Sequence, residues 1–193
     1  MSDVYSFISL SDARCKLAHD LFRFKRFAVL TFDDGYRSSL PFLKWLDASQ
    51  IPYTLFINGK YLDGQSCSEH ILENARLIKG DVTEREIADG LYLKQEDLVH
   101  LNADVGSHGY EHVNAVRLSR LGFEELINKN FDTLKNNKIA VIPFHAYTWG
   151  RHNSTTDAVL SEMSVVPVLM DGQMNYNNPK IIHRELFPSS FSV

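Results

Sequence analysis

Cysteine is nearly missing from this chain: Cys15 and Cys67 are the only two in 193 residues. They form no C-x-x-C pair and have none of the density of a disulfide-stapled secreted scaffold, so a reduced compartment is tolerated. Long apolar runs are missing too, and no stretch approaches the roughly 18 consecutive apolar residues of a membrane span. Residues 1–12 place Asp3 where a secretory leader needs a cationic start, so the chain reads as soluble, unexported and cytoplasmic. Nor is there a cationic excess. Lys plus Arg number 20 against 24 Asp plus Glu, and the net charge of -4 leaves no footprint for a nucleic-acid backbone or an anionic membrane. Internal repeats and low-complexity tracts are absent, and the loop-like clusters at 63–68 and 175–179 are local. What remains, 44% apolar and 23% charged over this length, is the composition of one soluble domain with a single core.

Within that core, short β-rich runs recur at 27–32, 53–57, 139–144, 165–170 and 180–186, with helical patterns between most of them. The alternation predicts βα units around a parallel sheet. Pro41 suits a first helical position ahead of Phe42, Leu43, Trp45 and Leu46. Thr83-Glu84-Arg85-Glu86 is a capping box, with Gly90 as its stop. Phe123, Leu126, Ile127, Phe131 and Leu134 recur at helical spacing, and Asn153 or Ser154 caps a helix through Val159 and Met163. In a curled βα sheet the carboxyl ends of the strands converge on one face, and the chemistry belongs there.

Two acids stand at such an end. Asp33 and Asp34, in Thr31-Phe32-Asp33-Asp34-Gly35, follow the apolar run 27–30 and bring charge to the rim of a buried sheet, where unpaired carboxylates are costly without a cation. One can ligate a divalent ion while the other accepts a proton from the water that the ion acidifies. The rival reading is that both acids only cap the following helix, Asp-Asp-Gly being a common turn sequence. His108 and His112, in Ser107-His108-Gly109-Tyr110-Glu111-His112, supply imidazoles four residues apart, and Asp plus two His is a metal-site composition. The same segment reads as H-x-x-E-H, the signature of inverted zinc peptidases with Glu111 as base. That reading needs a regular helix, and Gly106 and Gly109 argue for a strand-to-turn junction. His19, His70 and His100 have no evident partners and receive no role.

Together these segments resemble the polysaccharide deacetylases, the family-four carbohydrate esterases with a NodB-like homology domain. Leu30 to Tyr36 and Val105 to His112 are similar to the family's first two motifs. Pro52-Tyr53-Thr54-Leu55-Phe56-Ile57 is similar to its second strand, and Ala146-Tyr147-Thr148-Trp149-Gly150-Arg151-His152-Asn153 to the stretch written A-Y-P-Y-G-x-x-N in one branch. The resemblance implies an α/β single domain, a distorted (β/α)7-type barrel over 27–193, with 1–26 as an N-terminal extension that is incomplete relative to that branch. It implies a hydrolase that removes N-acetyl groups from an amino-sugar-containing oligo- or polysaccharide. Asp34, His108 and His112 would be ligands to Zn2+ or another divalent ion such as Co2+ or Ni2+, with Asp33 as general base. The Trp149 backbone N–H would help hold the oxyanion, and Tyr36, Tyr110, Tyr147 and Trp149 would stack on sugar rings.

The departures from the family pattern are specific. Ala146 stands where many members have an arginine, and Thr148 replaces a proline, so the orientation of Asp33 depends on another group. Ile181-Ile182-His183 is similar to the last motif, L-x-H, which makes His183 the expected acid for the leaving amine; Arg184 fits the branches whose strand ends in Pro-Arg, and His145 is the reserve acid. A catalytically impaired relative that still binds metal and sugar is the alternative function.

Overall fold

The computed structural model describes residues 5–19, 26–62, 72–73, 76, 81–175 and 178–186. Cys67, His70, the cluster at 63–68 and residues 176–177 lie outside them. The chain starts with β1 (Ser6–Phe7), then α1 (Leu10–Ala18), whose N-cap Ser9 accepts the Asp12 N–H, then β2 (Phe27–Ala28), which pairs in parallel with β1. From there the chain alternates. The succession is β3 (Leu30–Phe32), α2 (Leu40–Ala48), β4 (Tyr53–Ile57), α3 (Glu84–Asp89), α4 (Gln95–Leu98), β5 (Asp104–Ser107), α5 (Arg120–Asn136), β6 (Val141–Ala146), α6 (Ser154–Glu162), β7 (Val166–Met170) and β8 (Ile182–Arg184). Strands β3 to β8 form one six-stranded sheet in sequence order, every neighbouring pair parallel. This is the curled parallel sheet of a distorted βα barrel.

Alternation along the strands separates two environments. Phe56, Phe144, Ala146, Val166, Val168 and Ile182 pack with Leu10 and Leu17 of α1 in one cluster inside the curl. Their strand neighbours face the helices. Leu55, Ile57 and Val105 pack with Leu43, Leu46 and Leu134, while Tyr147 and Leu169 pack with Phe123, Ile127, Val159 and Leu160. Every residue of β4 is buried, as expected of a parallel strand covered on both faces. Gly106 of β5 lies on the inner face because Phe56 fills the space beside it: a Cβ there would come within 2.6 Å of the Phe56 ring and 3.1 Å of the Phe144 carbonyl oxygen.

Local signals account for most boundaries. Pro41 sits in the first turn of α2, the Thr83–Glu86 capping box and the Gly90 stop bound α3, and Asn153 caps α6 through the Thr155 and Thr156 N–H groups. Strand β6 starts two residues later than the apolar run suggests, since the Ile139 N–H closes α5 on the Leu134 carbonyl and Lys138 has φ 61°. The shift carries His145 and Ala146 into the strand. Periodicity did not disclose β1 and α1, yet Leu10, Ala13 and Leu17 are buried. No helix among the described residues is long and apolar enough to cross a membrane.

The close approach at β5 gives a test of the packing. Gly106→Ala is expected to destabilise the protein by about 1–3 kcal/mol, the usual cost of overfilling a packed core, measured as a lowered urea midpoint with an unchanged slope.

Candidate metal centre

Asp33 and Asp34 leave β3 where the strand pairing with β4 has ended. Asp34 takes φ 66° and Gly35 φ 71°, and the Gly35 N–H bonds back to the Asp33 carbonyl at 2.8 Å. The turn is clamped from outside by residues 91–93: Leu93 N–H donates to the Gly35 carbonyl at 2.8 Å, Arg37 N–H to the Leu91 carbonyl at 3.0 Å, and Tyr36 stacks on Tyr92 with centroids 5.2 Å apart. A Cβ at Gly35 would fall 2.6 Å from Ile57, so the close turn and the positive φ both require glycine there.

The histidines come from the end of β5. Residues 108–112 form an irregular bend rather than a helix, with Gly109 at φ 82°. The H-x-x-E-H peptidase expectation fails at this point, because its geometry needs a helical turn and Glu111 instead pairs with Lys60. His108 and His112 nevertheless meet on one carboxylate: both Nε2 atoms lie 3.4 Å from Asp34 Oδ1. The three donor atoms lie within 4.8 Å of one another and all three residues are buried. Two donors each bonded to a tetrahedral zinc at about 2.0–2.1 Å are roughly 3.3–3.4 Å apart, so the set fits a divalent ion. Two further observations agree. Asp34 Oδ1 has no hydrogen-bond partner although it is buried. The His108 Nδ1–H donates to the Ala146 carbonyl at 2.8 Å, which in the neutral ring leaves the Nε2 lone pair facing Asp34.

Charge is arranged to match. Burial alone would lower the His108 pKa, but Asp33 and then Asp34 outweigh it and the pKa is raised, so the pocket favours a positive charge. His112 is pushed down to about 4 by burial and by His108. For Asp33 burial works against ionisation, and His108, Arg184 and His112 together reverse it, leaving the pKa below the ordinary value. The Arg184 guanidinium forks onto Asp33, Nη1 to Oδ1 at 2.7 Å and Nη2 to Oδ2 at 2.5 Å, and Nη1 also reaches Thr31 Oγ1 at 2.8 Å. Arg184 thus takes the place left open by Ala146.

That contact relocates the expected acid. Adjacent residues of β8 point to opposite faces, so with Arg184 turned inward to Asp33, His183 faces outward and its Nδ1 pairs with Asp171 at 3.0 Å. His183, the expected proton donor, thus carries an ion-pair partner of its own in Asp171. His145 is also on the helix-facing side, against Phe123 and Ser107, and burial pushes its pKa down to about 3.

The four aromatics divide. Trp149, with φ 53° and 43% exposed, stands at the rim with its ring 4.3 Å from that of His112, edge to face. Tyr147 is 2% exposed, its hydroxyl donating to Asp157 and its ring packed on Phe123 and His152, so the expected stacking on sugar is corrected: it is a core residue. Tyr36 lies in a column with Tyr92 and Tyr61, and Tyr110 lies beneath Lys129 Nζ at 3.9 Å. Sequence reasoning missed Asn58 and Asn130, two buried amides behind the histidine loop. Only Asn130, a polar residue inside the apolar stripe of α5, left a trace in the pattern.

With this geometry established, comparison with known proteins is informative. The family model described as polysaccharide deacetylase matches residues 23–168. A comparison with curated proteins finds no match. Among solved structures, IcaB from Ammonifex degensii superposes with TM-score 0.73 at 18% identity, covering 96% of this chain and 78% of that one. A de-N-acetylase from Aggregatibacter actinomycetemcomitans gives TM-score 0.72 at 11% identity, covering 98% and 80%. The Streptococcus pyogenes deacetylase PplD, in complex with acetate, gives TM-score 0.69 at 17% identity, covering 94% and 73%. These identities speak to the fold, and the family match, spanning most of the sequence, speaks to descent: the chain belongs to the polysaccharide deacetylase family.

Proposed function

We propose that this protein is a divalent-metal-dependent N-deacetylase that hydrolyses the acetamido group of an amino-sugar-containing glycan, with Zn2+, or Co2+ or Ni2+ in its place, at Asp34, His108 and His112. The observation that carries the reading is the convergence of one buried carboxylate and two buried imidazoles beside a second carboxylate held by Arg184. An ion bound there would polarise the acetyl carbonyl and lower the pKa of an attacking water. Asp33, kept ionised and oriented by the guanidinium fork, accepts the proton of that water. With His183 paired to Asp171 and His145 to Ser107, the proton taken by Asp33 is the one to be returned to the departing nitrogen, so a single carboxylate serves as base and then as acid. The products are acetate and a free amine. The Trp149 backbone N–H is assigned to the oxyanion, where one such donor is worth about 3–4 kcal/mol in other hydrolases, and the Trp149 ring to the sugar face.

The second reading is a relative that binds metal and sugar but turns over poorly, favoured by the pairing of His183 with Asp171 and of His145 with Ser107. Acetate release from N-acetylated chito-oligosaccharides, with each ion added to chelator-treated protein, separates the two. Turnover that requires the ion and is abolished by Asp33→Asn is expected; an ion-loaded wild type no faster than Asp33→Asn establishes the binding relative. Glu111→Gln is expected to retain turnover while Asp34→Asn loses both ion and turnover, and the opposite ranking would revive the peptidase. His183→Gln is expected to stay within tenfold of wild type, whereas a loss comparable with Asp33→Asn would return the acid to His183.

Arg184 gives an independent prediction. Arg184→Ala is expected to lower kcat about a hundredfold, the scale of a misplaced catalytic group, with zinc affinity little changed. Arg184→Lys is expected to recover only part, because a point charge cannot reproduce the fork. Equal rates for Arg184→Ala and wild type would remove Arg184 from the mechanism.

A further inference from the structure

We infer that Asn130, acting with Ser107 and Asn58, is a positioning residue that sets the histidine loop for the ion, an inference that rests on the metal centre proposed above. The pairing of β4 with β5 ends at Ile57 and Ser107. Beyond it the strands part, and the backbone that carries His108 can no longer be satisfied by the ladder alone. Side chains take over. Asn130, fully buried in the middle of α5, accepts the Gly59 N–H at 2.7 Å through Oδ1 and donates through Nδ2 to the Ile57 carbonyl at 3.0 Å and to Ser107 Oγ at 2.9 Å. Asn58 Nδ2 donates to the carbonyls of His108 at 2.8 Å and Gly109 at 3.0 Å.

Ser107 closes the network, and its proton can be located by counting. Its oxygen already accepts from Asn130 and from the Gly109 N–H at 3.2 Å, so its one hydrogen goes to His145 Nδ1, also at 3.2 Å. The peptide units on both sides of His108 are held, its N–H by Ile57 at 3.1 Å and its carbonyl by Asn58, while its ring is held by Ala146.

A buried asparagine inside a helix lowers helix propensity and must be fully bonded to avoid a desolvation cost. Its neighbours on that stripe, Phe123, Ile127 and Leu134, show that an apolar residue suits the position. Stability alone does not call for the amide there. The geometry of the ligand loop does, since partners behind metal ligands commonly change affinity by 10–100-fold.

The test compares Asn130→Asp, which keeps the shape and the acceptor but loses both donors, and Ser107→Ala, against Ile127→Val as a core control on the same helix. Zinc affinity is measured by chelator competition, the visible spectrum of the Co2+ form reports ligand geometry, and amide exchange on metal-free protein reports the loop. Asn130→Asp and Ser107→Ala are expected to weaken zinc binding ten- to a hundredfold, alter the Co2+ bands and speed exchange selectively at Gly59, His108 and Gly109, while Ile127→Val changes stability alone. Variants that bind zinc within twofold of wild type, or whose exchange rises uniformly, overturn the inference. Should Asn130→Asp fail to fold, Ser107→Ala decides by the same measures. Should wild type bind no zinc, the proposed centre fails, and the exchange pattern still decides whether these side chains hold the loop.

Discussion

One ion pair ties this architecture to its chemistry: the fork of Arg184 on Asp33. Arg184 ends the last strand of the six-stranded sheet and Asp33 directly follows the first, two strands that hydrogen-bond to no common neighbour. A flat sheet would keep them five strands apart. The sheet curls because Phe56, Phe144, Val168 and Ile182 bury their side chains on its concave face with Leu10 and Leu17, and the curl brings the guanidinium within 2.7 Å of the carboxylate. Breaking a partly buried pair of this kind strands the remaining charge, a cost of about 3–5 kcal/mol in fully buried cases and less here, where the side chains keep some solvent contact. The same contact joins His108 in holding the Asp33 pKa down against burial, so closure of the fold and the charge of that carboxylate share one interaction.

Around that pair, the pocket is short of positive charge. Two carboxylates face two imidazoles and one guanidinium, and although burial works to lower the His108 pKa, Asp33 and Asp34 raise it. The consequence for His112 is opposite, its pKa being depressed by burial and by its neighbour. Two imidazoles that differ in this way across one carboxylate oxygen make a poor resting arrangement for protons and a good one for a divalent ion, which both can approach as neutral donors. The edge-on contact of Trp149 with His112 shields this cluster on the solvent side.

Much of this was legible in the residues themselves. Asp33-Asp34-Gly35 and the two histidines could be paired in advance because metal-binding chemistry restricts which side chains meet at a strand rim, and the helix caps at Thr83 and Asn153 are local signals read over four residues. What could not be read depends on distance in the chain. Arg184 lies 151 residues from Asp33, and nothing in Ile182-His183-Arg184 says which neighbour turns inward. Tyr147 and Trp149 are both aromatic and two residues apart, yet one is core and the other rim, because Tyr147 directly follows β6 whereas Trp149 adopts a left-handed backbone. Leu10 and Leu17 escaped notice because their burial is decided by strand residues far along the chain, Phe56, Phe144, Val168 and Ile182.

The contrast between the two ends of the sheet follows from one rule of strand geometry. Neighbouring residues in a regular strand cannot both face the same side. At β8 the strand runs regularly through Arg184, so Arg184 reaches Asp33 while His183 pairs with Asp171. At β3 the strand stops at Phe32, and the left-handed Asp34 and Gly35 reverse the chain, so two adjacent acids reach one pocket. The turn is costly for a residue with a Cβ, by roughly 1–2 kcal/mol for the left-handed conformation, and is sustained by the hydrogen bonds from Leu93 and Gly35. Backbone strain at one position therefore does what side-chain choice could not, placing two carboxylates side by side. The unstrained strand opposite delivers a single group, the guanidinium of Arg184.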